Sequence, residues 1–555
     1  MNLLGIELQL SRCILFVNNP LSGKSLSSIE FCGEKRYILQ YKDGQLEIDN
    51  YKKENGDSSN LFLIKDIHKF LGVEQSELPS TDNIVGLADL SNDVYPYFLQ
   101  RNKDGVITRY MYPTYACGLI MSDICYEVFH QPIDSKPCVL VIPAMTTLAQ
   151  RHSYISVARL LNLEVQSVIS EVGAIVLNHW NDICTSSNIV VIDLGGNYFK
   201  ASFVTLDRCV IKVVTCIDST TWGGNSLIET LACELRKVFR QFDIFVSPNT
   251  EYYQQLLNDC EEIMDTLNRQ SEYTLQLNAY KEGESHTVSI HPSDLEDLFQ
   301  NTINHMMERI KETFQSLYWS TAGVKAILTG DCHHLPFVYD IICKALDVEI
   351  INCKHEHSCA AEGSILSTET TTTSSCPAHV SLSITRELYY QLGHGPVVSL
   401  MASGVTTKTS QRIQLQRSTN GTNLTIWEQG LSSPYLPLLS VDLSKVFNVM
   451  ERCELDMFFN AVGELTFSII GMSYTPPVFY FCDINKEDQE KFKLIESTRL
   501  LIKQALSNSN LPSSTVSTLQ QMNSVIQEYH FISFTPEVKN YAQSVQNWVQ
   551  SILTL

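Results

Sequence analysis

The sequence predicts an α/β domain built from two related halves, followed by an all-β sandwich and a short helical C-terminal region. Three observations carry this. Two distant segments look like copies of one strand–acid–turn–strand hairpin. From residue 1 to about 367, short apolar strands alternate with amphipathic helices. After residue 379 the pattern changes to short alternating strands between turn residues, and from about 485 to helical spacing.

The hairpins come first. Residues 3–17 run as an apolar strand, the acid Glu7, then Leu8-Gln9-Leu10-Ser11 and a second apolar strand. Residues 188–204 repeat the plan with Asp193, then Leu194-Gly195-Gly196-Asn197. A strand ending in an acid and a glycine turn presents backbone N–H groups to phosphate and a carboxylate to a metal ion. Asp-Leu-Gly-Gly after a strand is also an ordinary turn, because Gly accepts positive φ. The repeat weighs against that plainer reading and suggests a duplicated fold that closes on one nucleotide from both sides.

The other elements follow in order. Residues 138–142 read as a buried strand and 150–161 as a helix, one unit of the α/β alternation that spans 1–367. Segment 368–378, Thr-Glu-Thr-Thr-Thr-Thr-Ser-Ser-Cys-Pro-Ala, is polar and of low complexity and reads as a linker. Domain 379–472 carries strands at 380–385, 397–402, 413–417, 424–428, 438–443 and 465–470, with turns such as Asn420-Gly421, which is a sandwich pattern. In 473–555, beyond the Pro476-Pro477 break, residues 490–505 and 538–553 have helical periodicity.

Composition narrows the function. A formal net charge of −21 argues against non-specific DNA or RNA binding, which needs Lys and Arg on the phosphates. No secretory leader pattern and no run of about 18 apolar residues is seen, so a cytoplasmic protein with no membrane partner is expected. The 17 cysteines are scattered, without a CxxC pair. Cys353 and Cys359 flank His355 and His357, but a second well-spaced ligand pair is missing, so reduced, buried thiols are the expectation rather than a metal site.

Several segments, in order, resemble the 70-kilodalton heat-shock chaperone family over roughly residues 1–472. Val141-Ile142-Pro143-Ala144 followed by Gln150-Arg151 resembles the family's strand–Pro–Ala and Gln–Arg segment. Ile169-Ser170-Glu171 with Ala174 resembles its Asn-Glu-Pro-Thr-Ala-Ala turn, and Asp193-Leu194-Gly195-Gly196 its second phosphate loop. Trp222-Gly223-Gly224, the stretch from Asp66 through His68 to Gly72, Cys260-Glu261, and Ala326 through Gly330 to Leu335-Pro336 match further nucleotide-domain segments. Val462-Gly463-Glu464-Leu465 resembles a turn of the peptide-binding domain. The resemblance implies an actin-like, duplicated ribonuclease-H-like nucleotide-binding domain over 1–367, a linker, a peptide-binding-like sandwich and a partial lid.

By the same resemblance, Glu7, Glu171 and Asp193 stand at catalytic positions, with Glu7 and Asp193 facing Mg. Nucleotide contacts fall on Gln9, Leu10, Ser11, His68, Gly195, Gly196, Asn197, Gly223, Gly224, Glu261, Asn268, Gly330, Asp331 and His334. Pro143 and Arg151 match the family's allosteric pair. The implied cofactor is ATP or ADP with Mg. Many positions depart from the pattern: Gln9 adds a side chain where Gly is usual, His68 replaces a Lys, Tyr198 fills the place of a small hydroxyl residue, and Lys200 replaces an acid. Phosphoryl transfer depends on positioning and charge, and loss of one positioned group costs about 10² to 10³ in rate.

The expectation is therefore an atypical heat-shock-70-like chaperone or co-chaperone that binds nucleotide and hydrolyses it weakly or not at all. Its implied partners are unfolded or nascent polypeptides, a J-domain co-chaperone and the ribosome. An active ATP-dependent peptide-binding chaperone is the alternative, and a small-molecule kinase on the actin-like fold is the second. The Thr-rich linker lacks the family's apolar docking residues, which places interdomain coupling in doubt. The acidic tail motif of the family is absent, and the C-terminal helices are shorter than a full lid.

Overall fold

The computed structural model describes residues 3–8, 13–18, 37–42, 45–50, 62–64, 71–73, 98–101, 107–129, 135–195, 199–207, 210–219, 222–248, 250–267, 270–281, 286–330, 336–353, 359–366, 379–406, 409–417, 419, 421–430, 435–460, 462–482, 486–508, 511–530 and 532–553. In chain order the elements begin with β1 (Leu3–Leu8), β2 (Cys13–Asn18), β3 (Tyr37–Lys42), β4 (Gln45–Asn50), β5 (Phe62–Ile64), β6 (Phe98–Arg101), β7 (Ile107–Met111), α1 (Pro113–Phe129), β8 (Pro137–Ile142), α2 (Leu148–Leu160) and β9 (Glu164–Ser170). Next come α3 (Glu171–Asn178), α4 (Trp180–Ile183), β10 (Asn188–Leu194), β11 (Phe199–Asp207), β12 (Val210–Ser219), α5 (Gly224–Arg240), α6 (Glu251–Leu267), β13 (Tyr273–Gln276), β14 (Thr287–Ile290), α7 (Pro292–Ser316), β15 (Val324–Thr329), α8 (Pro336–Ala345), β16 (Glu349–Asn352) and α9 (Cys359–Leu366). The C-terminal part holds β17 (His379–Ser381), β18 (Leu388–Leu392), β19 (Val398–Met401), β20 (Ser410–Gln416), β21 (Asn423–Glu428), β22 (Leu436–Asp442), α10 (Ser444–Phe447), β23 (Arg452–Phe459), β24 (Leu465–Ile469), β25 (Val478–Tyr480), α11 (Lys486–Leu506), α12 (Ser513–Tyr529) and α13 (Pro536–Leu553).

These elements gather into two compact units that do not run in series along the chain. One unit combines Met1–Glu171 with Ser381–Leu555, and the other is Val172–Val380. The N-terminal segment thus packs with the sandwich and the helical tail.

In the first unit a sheet has the order β2-β1-β8-β9. β1 and β2 form an antiparallel hairpin, and β1 runs parallel to β8 and β8 to β9. All six residues of β8 are buried, as an apolar Cys-Val-Leu-Val-Ile run in a parallel strand requires. Helix α2 starts with a capping box: the Thr147 hydroxyl accepts from the Gln150 N–H and Gln150 Oε1 accepts from the Thr147 N–H. It is buried on nearly every face, including the polar side chains of Arg151, His152 and Ser153.

The sandwich sheets have the orders β19-β18-β21-β22-β25 and β20-β23-β24. Alternation directs Leu424 and Ile426 of β21, Leu455, Met457 and Phe459 of β23, and Leu465, Phe467 and Ile469 of β24 into one apolar cluster. Leu148 and Ala149, the first residues of α2, belong to that same cluster. Helices α11, α12 and α13 share a separate core around Ile495, Ile502, Leu519, Ile526, Val545 and Val549.

The second unit carries a sheet in the order β16-β15-β10-β11-β12-β17. β10 and β11 form an antiparallel hairpin, while β10 runs parallel to β15 and β15 to β16. The pairings repeat those of the first sheet: hairpin, parallel, parallel. Glu7 and Asp193 hold the same place, second from the end of the first hairpin strand. Helices α5 to α8 bury Leu231, Phe239, Ile263, Phe299, Met307 and Ile341 in the core beside this sheet.

One close approach fixes α3 on α9. A Cβ built on Gly363 would overlap the Ala174 carbonyl oxygen. Gly363→Ala should therefore lower stability by about 1–3 kcal/mol despite the better helix propensity of Ala, because the obstacle is backbone. The urea midpoint of the purified variant checks this; an unchanged or higher midpoint would contradict the packing.

Candidate functional site

Three chain segments converge at the carboxyl ends of β10 and β15. Asp193 is half-buried at the end of β10, opposite Thr329 in the parallel partner and Lys200 in the antiparallel one. Gly330 follows β15 with φ +97°, a backbone that L side chains rarely adopt. A Cβ there would lie 2.5 Å from Asp193 Oδ1 and 2.5 Å from the Leu194 carbonyl oxygen, so glycine is required by both the turn and the neighbour.

The third segment is the start of α5. The Gly224 N–H donates to the Gly195 carbonyl at 2.9 Å, which ties this helix N-terminus to the turn after β10. Ser226 Oγ accepts from the Gly223 N–H at 3.0 Å and donates to the Gly223 carbonyl at 2.7 Å, holding the first turn of the helix. A helix N-terminus and the carboxyl ends of parallel strands both favour anions. With one carboxylate alongside for a cation, the arrangement suits a metal-bound phosphate.

A cavity of about 350 Å³ lies apart from this convergence. It lies at the opposite end of β15, lined by Ser186, Thr321, Lys325, Cys343 and Asp347. Its distance from the strand carboxyl ends makes it a surface depression beside the α8–β16 connection, not part of the anion cradle.

A second constellation lies in the other unit, where α2 meets the sandwich. Glu428, buried at 2% exposure, accepts from the Leu148 N–H at 2.9 Å and the Ala149 N–H at 3.5 Å. The carboxylate therefore caps the positive end of α2. Burial pushes the Glu428 carboxyl up, opposed by the Leu148 N–H, Arg386 and Arg151.

Arg151 is equally buried. It donates from Nη2 to the Ser383 carbonyl at 3.1 Å and lies 5.5 Å over the Phe459 ring. Burial pulls its guanidinium down to about 10, against the pull of Glu428. Gly463, with φ +82°, presses on the Arg151 stem so closely that a Cβ would overlap Arg151 Cδ.

Glu464 closes the joint. It takes a two-pronged contact from Arg159 at 2.9 and 2.8 Å and pairs with His152 Nδ1 at 2.8 Å. The His152 ring stacks on Tyr480 with centroids 3.5 Å apart and planes 7° off parallel. Burial raises the Glu464 carboxyl, but the His152 and Arg159 hydrogen bonds outweigh it and hold it at about 2.

The tail docks on α1 in the same unit. Phe492 of α11 sits over Gly118, and its ring meets Tyr115 edge-on at 4.9 Å. Arg499 bridges Glu496 and Asp123 at 2.7 Å each, Ser122 donates to Glu496 at 2.5 Å, and Tyr115 Oη contacts His530 Nδ1 at 2.9 Å.

Of the residues expected at a nucleotide site, Asp193, Gly195, Gly223, Gly224 and Gly330 come together. Glu7 occupies the matching position of β1 in the other unit. Glu171 is half-buried at the first position of α3, Pro143 half-buried after β8, and Glu261 exposed on α6. Gln9, Leu10, Ser11, His68, Gly196, Asn197, Tyr198, Asn268, Asp331 and His334 lie outside the described residues, as does the linker 368–378. Sequence reasoning missed Thr329, Glu428 and the Glu464 clamp. Glu428 had a signal: it continues the inward phase of Leu424 and Ile426, where an acid needs a buried partner.

Residues 121–375 match the family model described as Hsp70 protein. The chain is 22% identical over 292 residues to chaperone protein dnaK3 of Thermosynechococcus vestitus, covering 50% of this chain and 41% of that one. It is 22% identical over 231 residues to heat shock cognate 70 kDa protein 3 of Dictyostelium discoideum, covering 40% and 36%. A heat shock 70 kDa protein of Penicillium citrinum is 22% identical over 211 residues, covering 37% and 41%. The alignment with dnaK3 thus spans 41% of that relative's length.

The Glu464 clamp has a pH signature. Its carboxyl falls from the ordinary 4.5 to about 2 on folding, so its contribution is complete above about 4.5 and vanishes as pH falls toward about 2. Glu464→Gln should lose about 2–3 kcal/mol of stability at neutral pH, with the gap to the native chain closing across that acid window. Denaturant titrations at stepped pH measure it; a gap independent of pH would rule out the ionised clamp.

Proposed function

We propose, from the premise that this chain is a divergent member of the Hsp70 family, that it acts as an atypical chaperone or co-chaperone assisting protein folding. On this reading, 1–367 serves as an actin-like nucleotide-binding domain, 379–472 as the peptide-binding sandwich and 473–555 as a partial lid. The repeated hairpin–parallel–parallel pairing supports the duplicated fold. ATP or ADP with Mg is taken at the cradle of Asp193, Gly195, Gly224 and Gly330, with Glu7 and Glu171 as the other catalytic candidates.

The observation that carries the reading is the α2 joint. Arg151 and Glu428 are both about 2% exposed and join the nucleotide half to the sandwich through folded elements. A joint of this kind fits a protein that holds its sandwich in one arrangement. Hydrolysis is then weak or absent, in line with Lys200 opposite Asp193, where a cation faces the metal-binding carboxylate. Unfolded or nascent polypeptides are the clients by family analogy; a J-domain protein and the ribosome rest on that analogy alone.

The active ATP-driven reading keeps one specific support, the retained carboxylate of Asp193 beside Gly330 and the α5 N-terminus. Single-turnover hydrolysis separates the two readings. The proposal expects Mg-ATP and Mg-ADP to raise the thermal midpoint, by about 2.7 kcal/mol of stabilisation at 100 times the dissociation constant, with no peptide-stimulated turnover. Gly330→Ala should abolish that shift by pushing on Asp193 and Leu194. No shift at millimolar nucleotide in the native chain would remove nucleotide binding from the proposal, and peptide-stimulated turnover would replace it with the active reading.

A further inference from the structure

The α3–α9 crossing holds a cluster that neither the anion cradle nor the α2 joint uses. His179 follows α3, Cys353 follows β16, and Cys359 opens α9. All three are buried, and their ligand atoms lie within 4.8 Å of one another. Cys353 and Cys359 are not joined in a disulfide, and their spacing alone gave no metal pattern because the third partner is remote in sequence.

The surroundings are arranged as outer contacts of a metal site. Asn178 Nδ2 donates to Cys359 Sγ at 3.3 Å and to Glu362 Oε2 at 3.1 Å. His179 Nδ1 lies 3.0 Å from the Ile175 carbonyl, which fixes the ring, and 3.8 Å from Cys359 Sγ. Gly363 locks the helix crossing from which His179 and Cys359 project, so the donors are placed by rigid elements.

The donor set selects the ion. Two sulfurs and one imidazole suit a thiophilic cation, and oxygen-preferring Mg or Ca is a poor match. Two thiolates and a divalent cation sum to zero charge, which lowers the cost of burial. We infer that His179, Cys353 and Cys359 form a zinc site that clips α3 to the β16–α9 connection. Three protein ligands leave one tetrahedral position for a further donor. The site stiffens the second unit and takes no part in nucleotide chemistry, so it stands or falls apart from the functional reading above.

The test uses the full chain purified without chelator from zinc-supplemented cells. Metal analysis should find about one zinc per chain, falling to background in His179→Ala and in the Cys353→Ser/Cys359→Ser double variant. Because a variant can lose zinc by misfolding, the native chain is also stripped and titrated with Co²⁺. A thiolate-to-cobalt charge-transfer band with the intensity of two sulfurs, displaced by one equivalent of Zn²⁺, supports the site. Background zinc with no cobalt band overturns it. So does full zinc retention in both variants, or a Cys353–Cys359 disulfide in chain isolated under a thiol trap.

Discussion

The first unit depends on a carboxylate that water does not reach. Glu428 sits at an inward position of a sandwich strand and finds its compensation at the first two N–H groups of α2. Capping a helix from a separate sheet is more demanding than capping it from the preceding residue. The strand must be held at one register and the helix at one height, or the carboxylate is buried unpaired at a cost of several kcal/mol. Thr147 already caps the next positions, so Glu428 adds specificity between elements more than helix stability. Leu148 and Ala149 then enter the sandwich core, and Arg151 has only one place to go.

Arg151 shows what this arrangement costs. Its Nε and Nη1 find no hydrogen-bond partner among the described residues, although one nitrogen reaches Ser383 and the cation lies over Phe459. Stability alone does not account for a buried arginine here, since an apolar side chain of similar volume often serves as well. Its partners, a backbone carbonyl, a ring face and a glycine turn, define a shape that a shorter or uncharged side chain would not fill. The tail repeats the strategy on α1, where Gly118 admits the Phe492 ring and Glu496, Arg499 and Asp123 set the register of α11. Charge here selects one docking among several that apolar contact alone would permit.

The sequence made local patterns legible and distant pairings illegible, and the residues show why. The strand at 138–142 and the helix at 150–161 came within a residue or two of β8 and α2, because burial on a parallel strand and 3.6-residue periodicity are written in the chain itself. The hairpin acids Glu7 and Asp193 were legible as a repeat and occupy matching strand positions. Strand β23 was not singled out, since Glu454 and Asp456 interrupt its apolar residues, although Cys453, Leu455, Met457 and Phe459 keep strict alternation. α12 was missed as a separate helix because its buried face is only Leu519 and Ile526. Nothing near Cys353 in sequence announces His179; the cluster exists only because α3 and α9 cross at Gly363.

The energetics of the joint bear on how such a chain can work. Separating the sandwich from α2 would expose Leu148 and Ala149 and strand Arg151, Glu428 and Glu464 from their partners. Breaking one buried charged contact by removing its partner costs about 3–5 kcal/mol, although separation into water returns part of that as hydration. To move such an equilibrium from one side to the other, a ligand must favour one state by about 5.5 kcal/mol. Within the first unit, the contacts of the joint themselves therefore set the threshold that any ligand acting on it has to meet.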